Sequence, residues 1–289
     1  MNKQEQVANG FMVSQDTIKE AAPLLPNYYC KAISKLTRQA DLSGLRVLEV
    51  GGYSVPKAVA NELLGVRQWV SLDLLDFAGG GYQLKNLPEY VSDRPVYRLD
   101  KDSIDWKESN FILDGDALHF ARMFDQQFDV VFSVNCFEHM PNLFSYLRLS
   151  KRNLVSGGIF YTQFGPIWTC CSGHHIRVDE ELDFSRPGFL DQFQHLLLDR
   201  WQMLDYLIDL GIEKPRAETA VYQIYNSPTI NRYTFDDYVR AFNGAEYTHL
   251  DVHRSFTVEP SSGLLAQLQA RHPNVSDFSA YELTVKCVV

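Results

Sequence analysis

Short apolar runs alternate with mixed segments and glycine-marked turns between residues 45 and 163. Residues 45–50 are apolar except for Arg46 and Glu49, which predicts a strand covered on both faces. Residues 55–65 read as a helix with Pro56 in its first turn, where proline is tolerated, and Gly65 at its end. Further strands are predicted at 69–72, closing on Asp73, at 111–113, at 128–134 and at 158–163, with a helix near 142–154. The stretch 77–110 reads as loop. This repetition predicts an α/β fold with a mostly parallel sheet and right-handed crossovers.

The flanks follow other patterns. Residues 14–40 read as two helical runs separated by Pro23 and Pro26. After residue 163 the strand–helix rhythm stops, and 164–232 reads as an insertion. A long helix over 189–210 would carry one apolar stripe at Phe193, Leu197, Trp201, Leu204 and Ile208. Thr234 caps the helix TFDDYVRAF, whose early acids suit the helix dipole. A strand near 247–256, a helix at 261–270 and a last strand in YELTVKCVV return the chain to the sheet.

Composition narrows the function classes. The 289 residues are 45% hydrophobic, enough for one sizeable core. The formal net charge is −9 with acids and bases interspersed, so no basic stripe tracks a nucleic acid. No run approaches the roughly 18 apolar residues of a membrane helix, and MNKQEQVANG does not resemble a secretion signal. The five cysteines match no zinc spacing and are odd in number, so reduced thiols and a cytoplasmic setting are expected.

Candidate chemistry collects at the strand ends, where open parallel sheets bind ligands. Gly51 and Gly52 let a ligand approach the backbone. Asp73 can accept hydrogen bonds from both hydroxyls of a ribose. Asp116 can take a donor from an exocyclic amine while Ala117 packs on the ring. Asn135 ends the 128–134 strand, and it and Asp116 could equally act as local caps. Together these ends form a nucleoside-shaped site. A dinucleotide site wants Gly-x-Gly-x-x-Gly, and Tyr53 and Pro56 stand where its later glycines belong. A cofactor without phosphate fits better.

The order VLEVGG, VSLD, DGDAL, FDVVFSVNCFEHM and GGIFYTQF resembles the class I S-adenosylmethionine-dependent methyltransferase family over roughly residues 40–165. The resemblance implies a Rossmann-like, seven-stranded, mostly parallel sheet whose last strand runs antiparallel between its neighbours, with an insertion or lid between strands five and six. It implies that Glu49, Gly51 and Gly52 line the amino-acid end of S-adenosylmethionine, that Asp73 holds the ribose, that Asp116 and Ala117 meet adenine, and that Asn135 and Phe137 flank the methionine part. The product would be S-adenosylhomocysteine. The expected parts are an N-terminal helical lid (1–40), a cofactor-binding core (41–163), an acceptor-binding insertion (164–232) and a C-terminal completion of the sheet (233–289). Tyr53 departs from the family's usual second glycine and could shape the acceptor site.

The second half should supply the acceptor side. A hydroxyl acceptor must lose a proton, which histidine suits near neutral pH. His139, His174 and His175 are the candidates, each with local hydrogen bonding as its plainer role. Phe164 and Trp168, with Tyr53 and the histidine pair, could wall a small organic acceptor, or the aromatics could anchor the insertion to the sheet. A divalent metal on His174 or His175 with Glu138, Asp179, Glu180 or Glu181 ranks behind a metal-free site, because the spacing matches no established metal motif. The leading reading is methyl transfer to a small molecule, at oxygen, with a sugar or natural-product intermediate as acceptor classes and a homo-oligomer left open. A nicotinamide-dependent oxidoreductase and a non-catalytic scaffold retaining the fold are the alternatives.

Overall fold

The computed structural model describes residues 12–75, 94–184 and 190–289. Two helices, α1 (Gln15–Ala21) and α2 (Asn27–Thr37), precede strand β1 (Arg46–Val50). A π-helical turn (Ala58–Leu63) leads to β2 (Gln68–Asp73), a short β3 (Val96–Arg98) and β4 (Asn110–Asp114). Helix α3 (Ala117–Met123), β5 (Phe128–Val134), a 3-10 turn (Phe137–His139), α4 (Leu143–Ser150) and β6 (Leu154–Phe164) complete the first half. The second half contains α5 (Gln194–Leu197), α6 (Arg200–Asp209), α7 (Lys214–Tyr225), α8 (Phe235–Gly244), β7 (Thr248–Thr257), α9 (Ser262–Arg271) and β8 (Ala280–Val288).

These strands form one sheet in the order β3-β4-β2-β1-β5-β6-β8-β7. All pairs are parallel except those of β8, which lies antiparallel between β6 and β7. The seven expected strands and the antiparallel closure are therefore present. An eighth strand joins the edge inside the stretch read as loop, where Tyr97 sets its ring edge-on to Phe111 at 5.5 Å. Because β3 shifts the count, the helical insertion between expected strands five and six lies between β6 and β7. Among the described residues no helix is long and apolar enough to cross a membrane.

Alternation along each strand divides the core between the two faces of the sheet. Leu48, Val50, Val70, Leu72, Phe111 and Val131 face α3, α4 and α8. Val47, Trp69, Val130, Phe132 and Tyr161 face α1, α2 and the π-helical turn. Glu49 and Ser71 share the parity of this second set, so their polar groups lie beneath α2 rather than in solvent.

The insertion has its own small core of Ile176, Met203, Leu207, Ala217, Ala220 and Ile224. Its helix is not the continuous 189–210 element expected. Phe193 adopts a left-handed φ of 65°, Leu198 is extended, and Asp199 opens α6 with a reciprocal capping box to Gln202. A capping box satisfies free N–H groups only at a helix start, so it resets the register at residue 199. The expected stripe fails beyond this break: Met203 and Leu207 are buried, whereas Trp201 is 64% exposed and Ile208 39% exposed. Met203→Ala should therefore cost about 2–5 kcal/mol, whereas Trp201→Ala should change stability by less than about 0.5 kcal/mol. Denaturant midpoints of the two variants check this ordering, and the continuous stripe would reverse it.

Candidate functional site

The carboxyl end of β1 is built around a buried carboxylate. Glu49 is fully buried, and its Oε2 accepts hydrogen bonds from Trp69 Nε1 at 2.8 Å and Ser71 Oγ at 2.6 Å. Arg94 donates to the same Ser71 hydroxyl at 3.0 Å, to Asn110 at 3.2 Å and to the Tyr53 carbonyl. Ser71 thus bridges the guanidinium and the carboxylate. Glu49 Oε1 has no hydrogen-bond partner among the described residues.

The glycine pair follows from what already crowds this corner. Gly51 has φ 71°, and a Cβ there would overlap the Cys136 side chain. A Cβ on Gly52 would overlap the Tyr29 hydroxyl and Glu49 Oε1. Tyr29 comes from α2 and is buried, and burial together with the Glu49 charge pushes its phenol well above the ordinary range. The protein's own side chains therefore need these glycines, beyond any ligand approach.

Asp73 ends β2, half-buried, and accepts from the Leu74 N–H at 2.8 Å. Burial pushes its carboxyl up to about 7, and the charges of Glu49 and Asp114 add to the effect. Asp116 is exposed and caps α3 by accepting from the His119 N–H at 2.7 Å; Ala117 is half-buried behind it. Asn135 turns the chain out of β5 with φ 48°, its N–H donating to the Gln163 carbonyl at 3.0 Å. Asp76 lies outside the described residues.

Several expected contacts resolve differently. Phe137 is fully buried among Tyr146, Phe160, Phe164 and Phe242, so its ring supports the sheet instead of flanking a methionine chain. Phe164 is likewise core, 4.8 Å from the Tyr238 ring, and not an acceptor wall. Tyr53 is buried with Leu75 and Ile112. Trp168 is half-buried between the His195 ring at 4.8 Å and the Arg232 guanidinium at 5.6 Å, which makes it a fastener inside the insertion.

The three histidines separate into a pair and an outlier. His174 is buried, packs 5.4 Å from His195, and accepts the Ile176 N–H through Nδ1 at 3.2 Å. It belongs to the folding of its own loop rather than to the expected acceptor site. His139 and His175 meet with ring centroids 5.1 Å apart. His139 Nδ1 lies 2.6 Å from the Thr229 carbonyl, and His175 Nδ1 lies 3.0 Å from the Gly173 carbonyl. A carbonyl can only accept, so both Nδ1 atoms carry the proton and both Nε2 atoms present lone pairs. Burial lowers both rings, His175 to about 3, so the neutral form persists through neutral pH.

Asn231, which no sequence pattern marked, holds this corner together. Its side chain donates to the Phe137 carbonyl at 2.5 Å and the Met140 carbonyl at 3.3 Å. Its N–H donates to the Glu138 carbonyl at 2.9 Å, and the Tyr238 hydroxyl donates to its side-chain oxygen at 3.0 Å. The end of the insertion is thereby tied to the loop after β5. Of the acids considered as metal ligands, Asp179 and Glu181 instead pair with Arg216 at 2.7 and 3.0 Å. A separate hollow of about 320 Å³, lined by Lys101, Trp106, Met123, Phe124, Asp125 and Gln126, lies at the amino end of β5, away from the strand carboxyl ends.

The donor set at the strand ends fits an adenosyl group with an amino-acid tail. Glu49 Oε1, beside Gly52 and the Tyr29 hydroxyl, could accept from an ammonium, and Asp73 holds a carboxyl whose charged form gains from new donors. Residues 75–162 match the methyltransferase domain family. No curated protein sequence matches the chain. Among solved structures, an S-adenosylmethionine-dependent methyltransferase from Mesorhizobium loti aligns at 15% identity over 89% of this chain and 98% of its own, with a TM-score of 0.44. Phosphoethanolamine N-methyltransferase 2 of Haemonchus contortus, in complex with S-adenosyl-L-methionine, aligns at 13% identity over 95% of this chain and 57% of its own, with a TM-score of 0.47. An S-adenosylmethionine-dependent methyltransferase from Archaeoglobus fulgidus aligns at 11% identity over the whole of both chains, with a TM-score of 0.44.

Proposed function

We propose that this protein methylates a hydroxyl group of a small, polyhydroxylated molecule, a sugar or a natural-product intermediate, in a cytoplasmic setting. The observation that supports the reading is placement: Asp73 ends β2 and His139 follows β5, both at the carboxyl side of the parallel sheet, where the His139 ring meets that of His175 at 5.1 Å. The five free thiols accord with a reducing compartment.

When bound, S-adenosylmethionine supplies a methyl group on a sulfonium, ready for in-line displacement. The chain's task is binding, orientation and proton removal. Glu49 and the Gly51–Gly52 backbone would hold the amino-acid end, Asp73 the ribose hydroxyls, and Asp116 with Ala117 the adenine edge. Asn135 would contribute backbone groups. His139, with its Nδ1 fixed by Thr229, offers Nε2 to the acceptor hydroxyl, and His175 offers a second Nε2 beside it. Phe184 packs 5.0 Å from the His175 ring and covers that side from water.

Two outcomes follow. Ribose hydroxyls donating to Asp73 favour its charged form, so S-adenosylhomocysteine should displace a proton near pH 6 and bind more weakly as pH falls below about 7. Calorimetry in buffers of different ionisation enthalpy measures that proton, and Asp73→Asn should remove both the release and the pH dependence, with roughly tenfold or greater loss of affinity. Unchanged affinity in the variant would exclude Asp73 from the ribose site. His139→Ala should lower turnover on hydroxylated acceptors by about 10²- to 10⁴-fold at nearly constant S-adenosylhomocysteine affinity. Wild-type turnover should stay flat through neutral pH and fall only in acid, where the imidazole gains a proton.

A further inference from the structure

We infer that Glu138, His139 and His175 form a binding site for one first-row divalent cation, at which the acceptor oxygen is held. The cation site stands on its own geometry; its role toward the acceptor rests on the reading above. One ligand atom from each residue lies within 4.8 Å of the other two, and Glu138 Oε1 is 3.9 Å from His139 Nε2.

Three features go beyond proximity. Both imidazoles are tied through Nδ1 to main-chain carbonyls, which leaves Nε2 as the ligating atom on each. A second hydrogen bond of this kind is what orients metal-bound histidines. Glu138 is 1% exposed, and its Oε2 has no hydrogen-bond partner among the described residues. An unpartnered buried carboxylate oxygen is costly unless a cation or donor meets it. His175 has φ 50°, a conformation uncommon outside glycine that brings its ring to His139. The two histidines lie on different segments, one after β5 and one after β6, so their meeting is a product of the fold.

Two nitrogens and one carboxylate suit zinc, manganese, iron(II) or cobalt(II) better than magnesium or calcium, which prefer oxygen. Ligands sharing such an ion sit about 2.0–2.2 Å from it and therefore no more than roughly 4 Å apart. The cluster closes onto a cation by rotations that bring its widest pair together by about 1 Å. Three protein ligands leave positions open. An acceptor hydroxyl entering one of them forms a bond from oxygen to the cation and becomes more acidic. With the cation bound, the His139 and His175 Nε2 lone pairs are held by the ion, so the O–H bond breaks with the proton passing to water in place of His139; no electron changes hands, and the oxygen stays fixed on the cation.

The test uses the full-length protein stripped with chelator and titrated with cobalt(II), followed by its visible absorption bands, and with zinc(II) by calorimetry. One ion per chain with a dissociation constant of micromolar or tighter is expected. Glu138→Gln, His139→Ala and His175→Asn should each weaken binding by tenfold or more; asparagine tolerates the left-handed backbone at residue 175. Where a variant does not fold, zinc(II) should still raise the melting temperature of the wild type and of Asp73→Ala alike. Absence of that shift, affinity only in the millimolar range, or cobalt bands unchanged in all three variants would overturn the site. S-adenosylhomocysteine titration of the same samples reads the cofactor cleft independently. Cation binding without cofactor binding would sink the methyl-transfer reading and leave the metal site standing.

Discussion

The carboxyl ends of β1 and β2 depend on meeting the hydrogen-bonding needs of Glu49, a fully buried carboxyl group. A buried carboxylate is costly unless its oxygens are met by donors. Here Trp69 and Ser71 meet one oxygen, and Ser71 is itself held by the Arg94 guanidinium. Satisfying Glu49 thus fixes the register of β1 against β2 and draws Tyr29 of α2 onto Gly52. The second oxygen lies beside Gly52 and the Tyr29 hydroxyl, at the edge of the same network.

A similar economy operates at the end of β5. The segment Cys136–Met140 has little regular structure of its own: a single 3-10 turn with Phe137 anchored in the core. Its position is set from outside, by Asn231 and Thr229 at the far end of the insertion. The insertion is therefore more than a cover. It selects the tautomer of His139 and aims its free nitrogen. His175, at the start of the same insertion, reaches the same point from the other side. The meeting of the two imidazoles therefore depends on both ends of the insertion being docked.

The strand order, the antiparallel β8 and the acids at the strand ends were legible because each rests on local rules: alternation, glycine at a turn, a carboxylate where an apolar run stops. The failures came where side-chain direction decides. Phe137 lies in the same short segment as Asn135 and His139, yet its ring is fully buried in the core while those two residues are half-buried. Phe164 follows the same parity as the buried face of β6. His174 and His175 are chemically identical neighbours, and only backbone torsion separates the one inside its loop from the one at the cleft. The 189–210 helix looked continuous because apolar spacing was weighed without the capping box at Asp199. Asn231 carried no signal, since a residue that bonds four distant backbone and side-chain groups has no period to reveal it.

The pairing of tethered imidazoles also constrains how this chemistry can vary. A histidine positioned by another side chain loses its tautomer when that partner mutates. His139 and His175 are positioned by main-chain carbonyls of Thr229 and Gly173, which survive most substitutions at those positions. What does not survive is a change in loop path. Insertions or deletions near 173–175 or 229–231 would move both carbonyls and undo the Nε2 presentation, even with every histidine retained. The presentation of both Nε2 atoms is thus encoded in the length and docking of the insertion as much as in the identity of its residues.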